Sequence, residues 1–359
     1  MSEAPDATER AERICMIRDS AAAVAPRGEG TPRIRALRFQ DPGYDLGIFR
    51  EMGTLGWIGM TVPEAQGGAA LGMAEFCALA EELGAGLVPE PLVPAALSAE
   101  LLAACPDHAA LPQLLAGEVL VLTAWQEKPG RLEAPGTPDA PRLFLPMASG
   151  ADFFLLPVRE GARLALYEVH GSGAELETEQ TQDGGSLGTL RPSLARSRRV
   201  HGDIGPVLEA ALDRAALGTA GYLLGVMEAA FALALVYLRT RKQFGRVIGS
   251  FQALQHKAAD LRIQIALTRA SIEAAAALAD DPAADPRARR AAISRAKARA
   301  SEAALLVTRQ VIQLHGGIGY TDEHDAGLYL RKAMVLANQF GPAALHRARF
   351  MAESPEGEE

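Results

Sequence analysis

Across residues 205–350 apolar side chains recur at helical spacing, about every 3.6 residues, and that sustained period confines this part of the chain to packed helices. Leu224, Met227, Phe231, Ala234 and Leu238 share one face. Phe251, Leu254, Ala258, Leu261 and Ile265 share a second, and Ile293, Ala296, Ala300, Ala303, Val307, Val311 and Leu314 a third. Asp285-Pro286 offers an N-cap followed by a proline at the first helical position, and Gly316-Gly317 a stop. Frequent alanines let helices approach closely, so the pattern predicts an antiparallel bundle of four or five long helices over 205–350, with 351–359 a tail.

Upstream the character changes twice. Between about Val119 and Val200 the apolar runs are short and bounded by Gly, Pro or Asp, as in Leu143–Pro146, Phe153–Leu156 and Leu164–Tyr167; they predict strands of a shortened middle β-domain over 119–204. Over 35–118 short helices, such as Leu46–Met52 and Met73–Leu83, are split by Gly and Pro, including the turn Val62–Gly68; this is an N-terminal helical domain. Residues 1–34, rich in Glu, Arg, Ala, Pro and Gly, read as a frayed helix or flexible tail. The fold class is mainly α with a small β-domain.

Hydrophobic residues make up 48% of the 359, enough for buried cores, and a formal charge of −8 gives no broad attraction to nucleic acid. The basic runs Arg196–Arg199 and Arg287–Arg299 read as solvated faces. Cys15, Cys77 and Cys105 are scattered, which suggests neither disulfides nor a zinc site and fits a reducing cytoplasm. The N-terminus is acidic and polar, unlike a targeting segment, and no apolar run reaches the roughly 18 residues of a membrane span. The nearest, Leu87–Cys105, is broken by Pro89, Pro91 and Pro94.

Two loops bear on chemistry. Arg239–Gly245 lies between bundle helices; its cations either complement a helix dipole or present a guanidinium to phosphate oxygens. In Gln313–Thr321 the glycines at 316, 317 and 319 free backbone N–H groups for an anion, and Thr321-Asp322-Glu323 would cap the next helix. A plain helix stop explains one glycine, hardly three.

Arg241–Gly245, Phe251-Gln252 with His256 to Asp260 downstream, and Gln313–Thr321 resemble signatures of the acyl-CoA dehydrogenase family of flavoproteins. Leu55–Met60, Val62-Pro63-Glu64, Gly67-Gly68 and Glu81–Gly84 resemble its first helical domain, so the likeness covers about 35–350. The resemblance implies the family's fold, ending in an antiparallel four-helix bundle, and FAD at a subunit interface. One subunit's β-domain would hold the flavin ring, and the neighbour's bundle would grip the pyrophosphate through Arg241, Gln243, Phe244, Gln313, Gly316 and Gly317.

The flavin half departs from the family. Where Thr-Glu-Pro and Gly-Ser-Asp are usual, this chain has Trp125–Gly130 and no Gly-Ser-Asp; where Trp-Ile-Thr packs on the ring, it has Phe144-Leu145-Pro146, and proline offers neither hydroxyl nor N–H. The family removes an α-proton with a carboxylate while the flavin takes hydride from the β-carbon. Its two usual base positions read Phe340 and Ala215 here. Asp213, two residues before Ala215, is a weak substitute that a turn of about 200° aims elsewhere, and it reads more simply as a surface or N-terminal helix acid. His256, His315, His324 and His346 lack metal-ligand spacing and read as helix-surface or interface residues; Glu323-His324-Asp325 reads as ordinary first-turn charge, and Trp57 and Trp125 as packing.

The expectation is one subunit of a heteromeric FAD-dependent dehydrogenase acting on a bulky, steroid-type acyl-CoA. A second family subunit would supply flavin pocket and base, and an electron-transfer flavoprotein would take the electrons. The alternatives are a self-sufficient homo-oligomer using Asp213 and a structural paralogue without flavin.

Overall fold

The computed structural model describes residues 7–25, 31–133 and 137–354. Its first helices, α1 (Ala7–Val24) and α2 (Thr31–Leu37), correct the expected tail at 1–34, of which residues 1–6 and 26–30 lie outside the described residues. Charge holds α1 in place. Arg10 and Arg13 pair with Glu75, and Arg18 meets Glu81 at 2.6 Å and Glu82 at 2.7 Å. Those three carboxylates are almost fully buried, so each needs a cationic partner.

Next come α3 (Leu46–Thr54), whose first turn is capped by the Asp45 carboxylate, a single helical turn at Glu64–Gln66, α4 (Met73–Ala85), α5 (Leu92–Ala103) and α6 (Ala110–Leu115). The N-terminus of α4 borrows its cap from a distant helix: Asp280 accepts from Met73 N at 2.5 Å and Ala74 N at 3.2 Å.

Among the described residues the β-domain has seven strands: β1 (Val121–Thr123), β2 (Arg142–Pro146), β3 (Phe153–Glu160), β4 (Arg163–His170), β5 (Glu175–Gln180), β6 (Ser186–Arg191) and β7 (Arg198–His201). They form two sheets, β1-β3-β4-β7 and β2-β6-β5; β1 runs parallel to β3 and every other pairing is antiparallel.

The bundle holds three long helices and two short ones. They are α7 (Gly205–Thr240), α8 (Gln252–Asp280), α9 (Pro286–His315), α10 (Ala326–Leu336) and α11 (Ala343–Glu353), with a small hairpin of β8 (Lys242–Gln243) and β9 (Arg246–Val247) after α7. Asp285 caps α9 by accepting from Ala288 N at 2.9 Å, and Gly316 ends it at φ 66°. α11 outruns the expected boundary at 350 because Glu353 pairs with Arg290 at 2.9 Å; residues 355–359 lie outside the described residues.

α7 is the central column. It contains an 18-residue window apolar enough to cross a membrane, contrary to the expectation of no such run, and 67% of that window is buried inside the protein, as in a core helix. α4 crosses it at close range: a Cβ at Gly225 would sit 1.8 Å from the Glu81 carbonyl oxygen, and one at Gly84 2.0 Å from that of Tyr222.

Candidate functional site

The two loops meet at one end of the bundle. α7 stops at Arg241, and β8 and β9 turn through Phe244 (φ 51°) and Gly245 (φ 77°), a two-residue turn with both residues left-handed. Phe244 is 88% exposed, its edge against Phe251, while Arg246 lies 4.1 Å over the Phe251 ring; Arg241 and Gln243 are exposed. Tyr237, one turn before Arg241, contacts the His315 ring at 4.7 Å and brings the glycine loop alongside.

In that loop two of the three glycines are required by the backbone. Gly316 takes a positive φ, and Gly319 passes so close to Ile312 that a Cβ would lie 2.7 Å from its carbonyl oxygen. Gly317 has neither constraint: nothing lies within 4 Å of a Cβ there, and with Gln313 it is exposed. The expected Thr321 cap does not form. The Thr321 hydroxyl donates to Ile318, and α10 begins only at Ala326, whose N–H donates to His324 Nδ1. His315 is buried, not on the surface. Its Nδ1 lies 2.7 Å from the Val311 carbonyl, its ring lies 4.3 Å from that of His324, and its Nε2 has no partner among the described residues. Burial, then the neighbouring His315, lowers His324 below the usual imidazole range.

A separate cavity of about 640 Å³ opens where α5, the β-domain, α7 and the end of α10 converge. Most positions that the sequence set against a flavin or a base on this side line it: Trp125, Gln126, Phe144, Pro146 and Phe340 are all in its wall. Trp125 is thus both buried packing and cavity wall. Ala215 is not among them. It lines a small cleft with Glu100 and Arg214, whereas Thr219 and Tyr222, further along α7, face the cavity.

No carboxylate in this wall is free to take a proton. Among the described residues its two acids are Glu90 and Asp183. Arg33 grips Glu90 with two bonds of 2.7 and 3.0 Å, and Asp45 N adds a third. Lys332 stands 2.5 Å from Asp183, and Thr181 and Gly185 donate to the same carboxylate. Burial pushes Asp183 up, but Lys332 and Thr181 outweigh it and leave the group below the usual carboxylate range. Reading by sequence missed Glu90, Asp183, Lys332, Thr219 and Tyr222, since nothing local marks them.

Asp213 is not the surface acid expected, nor does it line the cavity. It is 7% exposed and takes two bonds from Arg349; burial raises it above the usual range, with Arg349 opposing. An acid locked on arginine away from the cavity is poorly suited to abstract a proton there.

Behind Phe340 stands a buried cation, another departure from the expected solvated run at Arg287–Arg299. Lys297 is fully buried, donates to Ser301 and to the carbonyls of Ala337 and Gly341 at 3.1 Å, and has no carboxylate partner among the described residues. His346, buried rather than superficial, contacts the Phe340 carbonyl at 2.8 Å, and burial pushes it down to about 4. Burial likewise lowers Lys297 to about 7. Lys297→Met is expected to cost about 2 kcal/mol near neutral pH by stranding those carbonyls. Between that folded value and the unfolded value of about 10.4 the unfolded chain holds the extra proton, so the wild type gains stability as pH rises. The gap between wild type and variant should therefore widen from pH 7 toward 10 in urea unfolding; a constant gap would refute the assignment.

Comparison with known proteins identifies the family. Residues 11–114 match the acyl-CoA dehydrogenase N-terminal domain and residues 205–354 the acyl-CoA dehydrogenase C-terminal domain. Acyl-CoA dehydrogenase IpdE2 of Mycobacterium tuberculosis is 31% identical over 323 residues, 89% of this chain and 90% of that protein. IpdE2 of Mycolicibacterium smegmatis is 29% identical over 341 residues, 94% and 97% of the two chains. Among solved structures, the Tcur3481-Tcur3483 steroid ACAD superposes with TM-score 0.83 at 29% identity over 98% of both chains. The ChsE4-ChsE5 complex of Mycobacterium tuberculosis shares the fold, with TM-score 0.82 at 24% identity over 99% of this chain and 100% of that one. With both family domains in order around a β-domain, the chain belongs to the acyl-CoA dehydrogenase family.

Proposed function

We propose that this chain works as one subunit of a heteromeric FAD-dependent acyl-CoA dehydrogenase, lending its bundle loops to a flavin seated mainly in a partner. The observation that carries the reading is the split between the two places. Exposed Arg241, Gln243, Phe244, Gln313 and Gly317, with half-exposed Gly316 beside them, form a surface open to a neighbour. The cavity meanwhile presents Phe144, Pro146 and Phe340 and no free acid.

FAD fits the first place and not the second. A guanidinium beside a glycine turn with open space over Gly316 and Gly317 suits a pyrophosphate. In the cavity Pro146 has no donor for the polar edge of a flavin ring, and the Phe340 side chain cannot accept a proton. The bound flavin would supply hydride acceptance, with the pocket and base furnished by the partner. Within this chain Arg241 holds the phosphates, and Phe244 covers the join between subunits. The similarity to a two-component steroid ACAD supports a bulky acyl-CoA as substrate. An electron-transfer flavoprotein is the acceptor we infer from the family likeness.

The test is expression of the chain alone and together with a second family member carrying an intact base. FAD content and acyl-CoA oxidation should rise together only in the pair. Full flavin and full turnover from the lone chain would refute the proposal in favour of a self-sufficient homo-oligomer. A colourless pair would point instead to a structural paralogue.

A further inference from the structure

The cavity survives although the groups that would use it for redox chemistry are absent, and its walls are mostly apolar. Apolar surface left facing water is unfavourable by about 25 cal/mol per Å². Deep apolar pockets with a few directed polar groups are characteristic of small-molecule sites.

The polar groups in the wall differ in what they have left to offer. The hydroxyls of Thr219 and Tyr222 donate to the carbonyls of Ala215 and Val88 at 2.8 Å, and that of Thr181 donates to Asp183. Lys332 is different. Its side chain is 13% exposed, and among the described residues its ammonium meets one acceptor, Asp183 Oδ2. Two of its three N–H bonds therefore remain for something in the cavity. Asp183 sets the sign of that partner. It already balances the lysine charge, so a neutral oxygen acceptor is received without penalty, whereas a second carboxylate would face the Asp183 charge at close range.

We propose that this cavity is a non-redox ligand site for a bulky apolar molecule carrying a neutral oxygen acceptor such as a ketone, which Lys332 receives. The proposal rests on the reading that this chain's own cavity holds no flavin ring. No bond is made or broken in the site.

Trp125 in the wall gives a built-in reporter, and the chain's other tryptophan, Trp57, can be removed as Trp57→Phe. The full-length chain in that background is titrated with three probes of similar body: acetylpyrene, ethylpyrene, which lacks the oxygen, and pyrenecarboxylate. Energy transfer from Trp125 should saturate at one acetylpyrene per chain. Acetylpyrene should bind at least about tenfold more tightly than ethylpyrene, the worth of one hydrogen bond from a charged donor, and more tightly than the anion. Lys332→Met should erase the preference over ethylpyrene, and Lys332→Arg should keep it. Leu187→Phe, which narrows the cavity and leaves the ion pair intact, should weaken all three probes whether or not Lys332→Met folds.

Equal binding of acetylpyrene and ethylpyrene, or a preference that survives Lys332→Met, overturns the proposal. A colourless lone chain that ignores every probe overturns this proposal and leaves the divided enzyme standing. A lone chain that retains FAD and releases it to acetylpyrene overturns both.

Discussion

In the pair that we propose, with the flavin ring seated in the partner, Arg241→Glu in this chain is expected to weaken FAD retention about a hundredfold. The variant removes a charge-assisted contact with phosphate and places a carboxylate against it; loss of the contact alone is worth about 1.5–3 kcal/mol, and repulsion adds to it. Arg241→Lys keeps the charge without the planar fork and should fall between the two. The ratio of FAD to protein after gel filtration, followed by FAD titration of the stripped pair, measures both. Because Arg241 is exposed and carries none of the core packing, thermal stability without FAD should not change. Unaltered FAD retention in Arg241→Glu would remove the main support for a shared site.

The second large effect falls on the fold. Gly225→Ala puts a methyl 1.8 Å from the Glu81 carbonyl oxygen, inside the crossing of α4 and α7, where backbone rather than a flexible side chain must move. A loss of about 3 kcal/mol is expected, the upper range for overpacking, readable as a lower urea midpoint with an unchanged slope. Gly317→Ala is the contrast: with open space around it, stability should stay within about 0.5 kcal/mol, while FAD retention in the pair falls if the loop faces phosphate. A Gly225→Ala protein as stable as the wild type would mean that the two helices are not held at this distance.

Much of the architecture was legible because it is written locally. The faces of α7 and α9 follow a single period, the Asp285 cap and Gly316 stop sit where their chemistry demands, and the runs near 143, 153 and 164 became β2, β3 and β4. α1 was not legible. Half of its apolar residues are alanines, and what anchors it is a set of carboxylates more than 60 positions away, as in the Arg18–Glu82 bond with a separation of 64. Distance along the chain likewise hid the Arg349 partner of Asp213, 136 positions on, which turns an apparent surface acid into a buried ion pair. Phe144, Pro146 and Phe340 could be picked out one at a time through family likeness; that they share one cavity with Lys332 and Asp183 is a property of the folded chain.

Glu81 carries a further consequence. Its carboxylate, 3% exposed, is held by Arg18 from one side and from the other by Arg269, 188 positions later on α8, which also pairs with Glu228 of α7. During synthesis the first helices therefore leave the ribosome with only one of the two arginines that neutralise Glu81, and the second emerges after the whole β-domain has been made. Loop closure over such a span is slow, and until it happens the first helical domain exposes the face that α7 and α8 will cover. A chain of this design gains its last stability at the end of translation, and an early stop codon would leave a sticky fragment rather than a small independent domain.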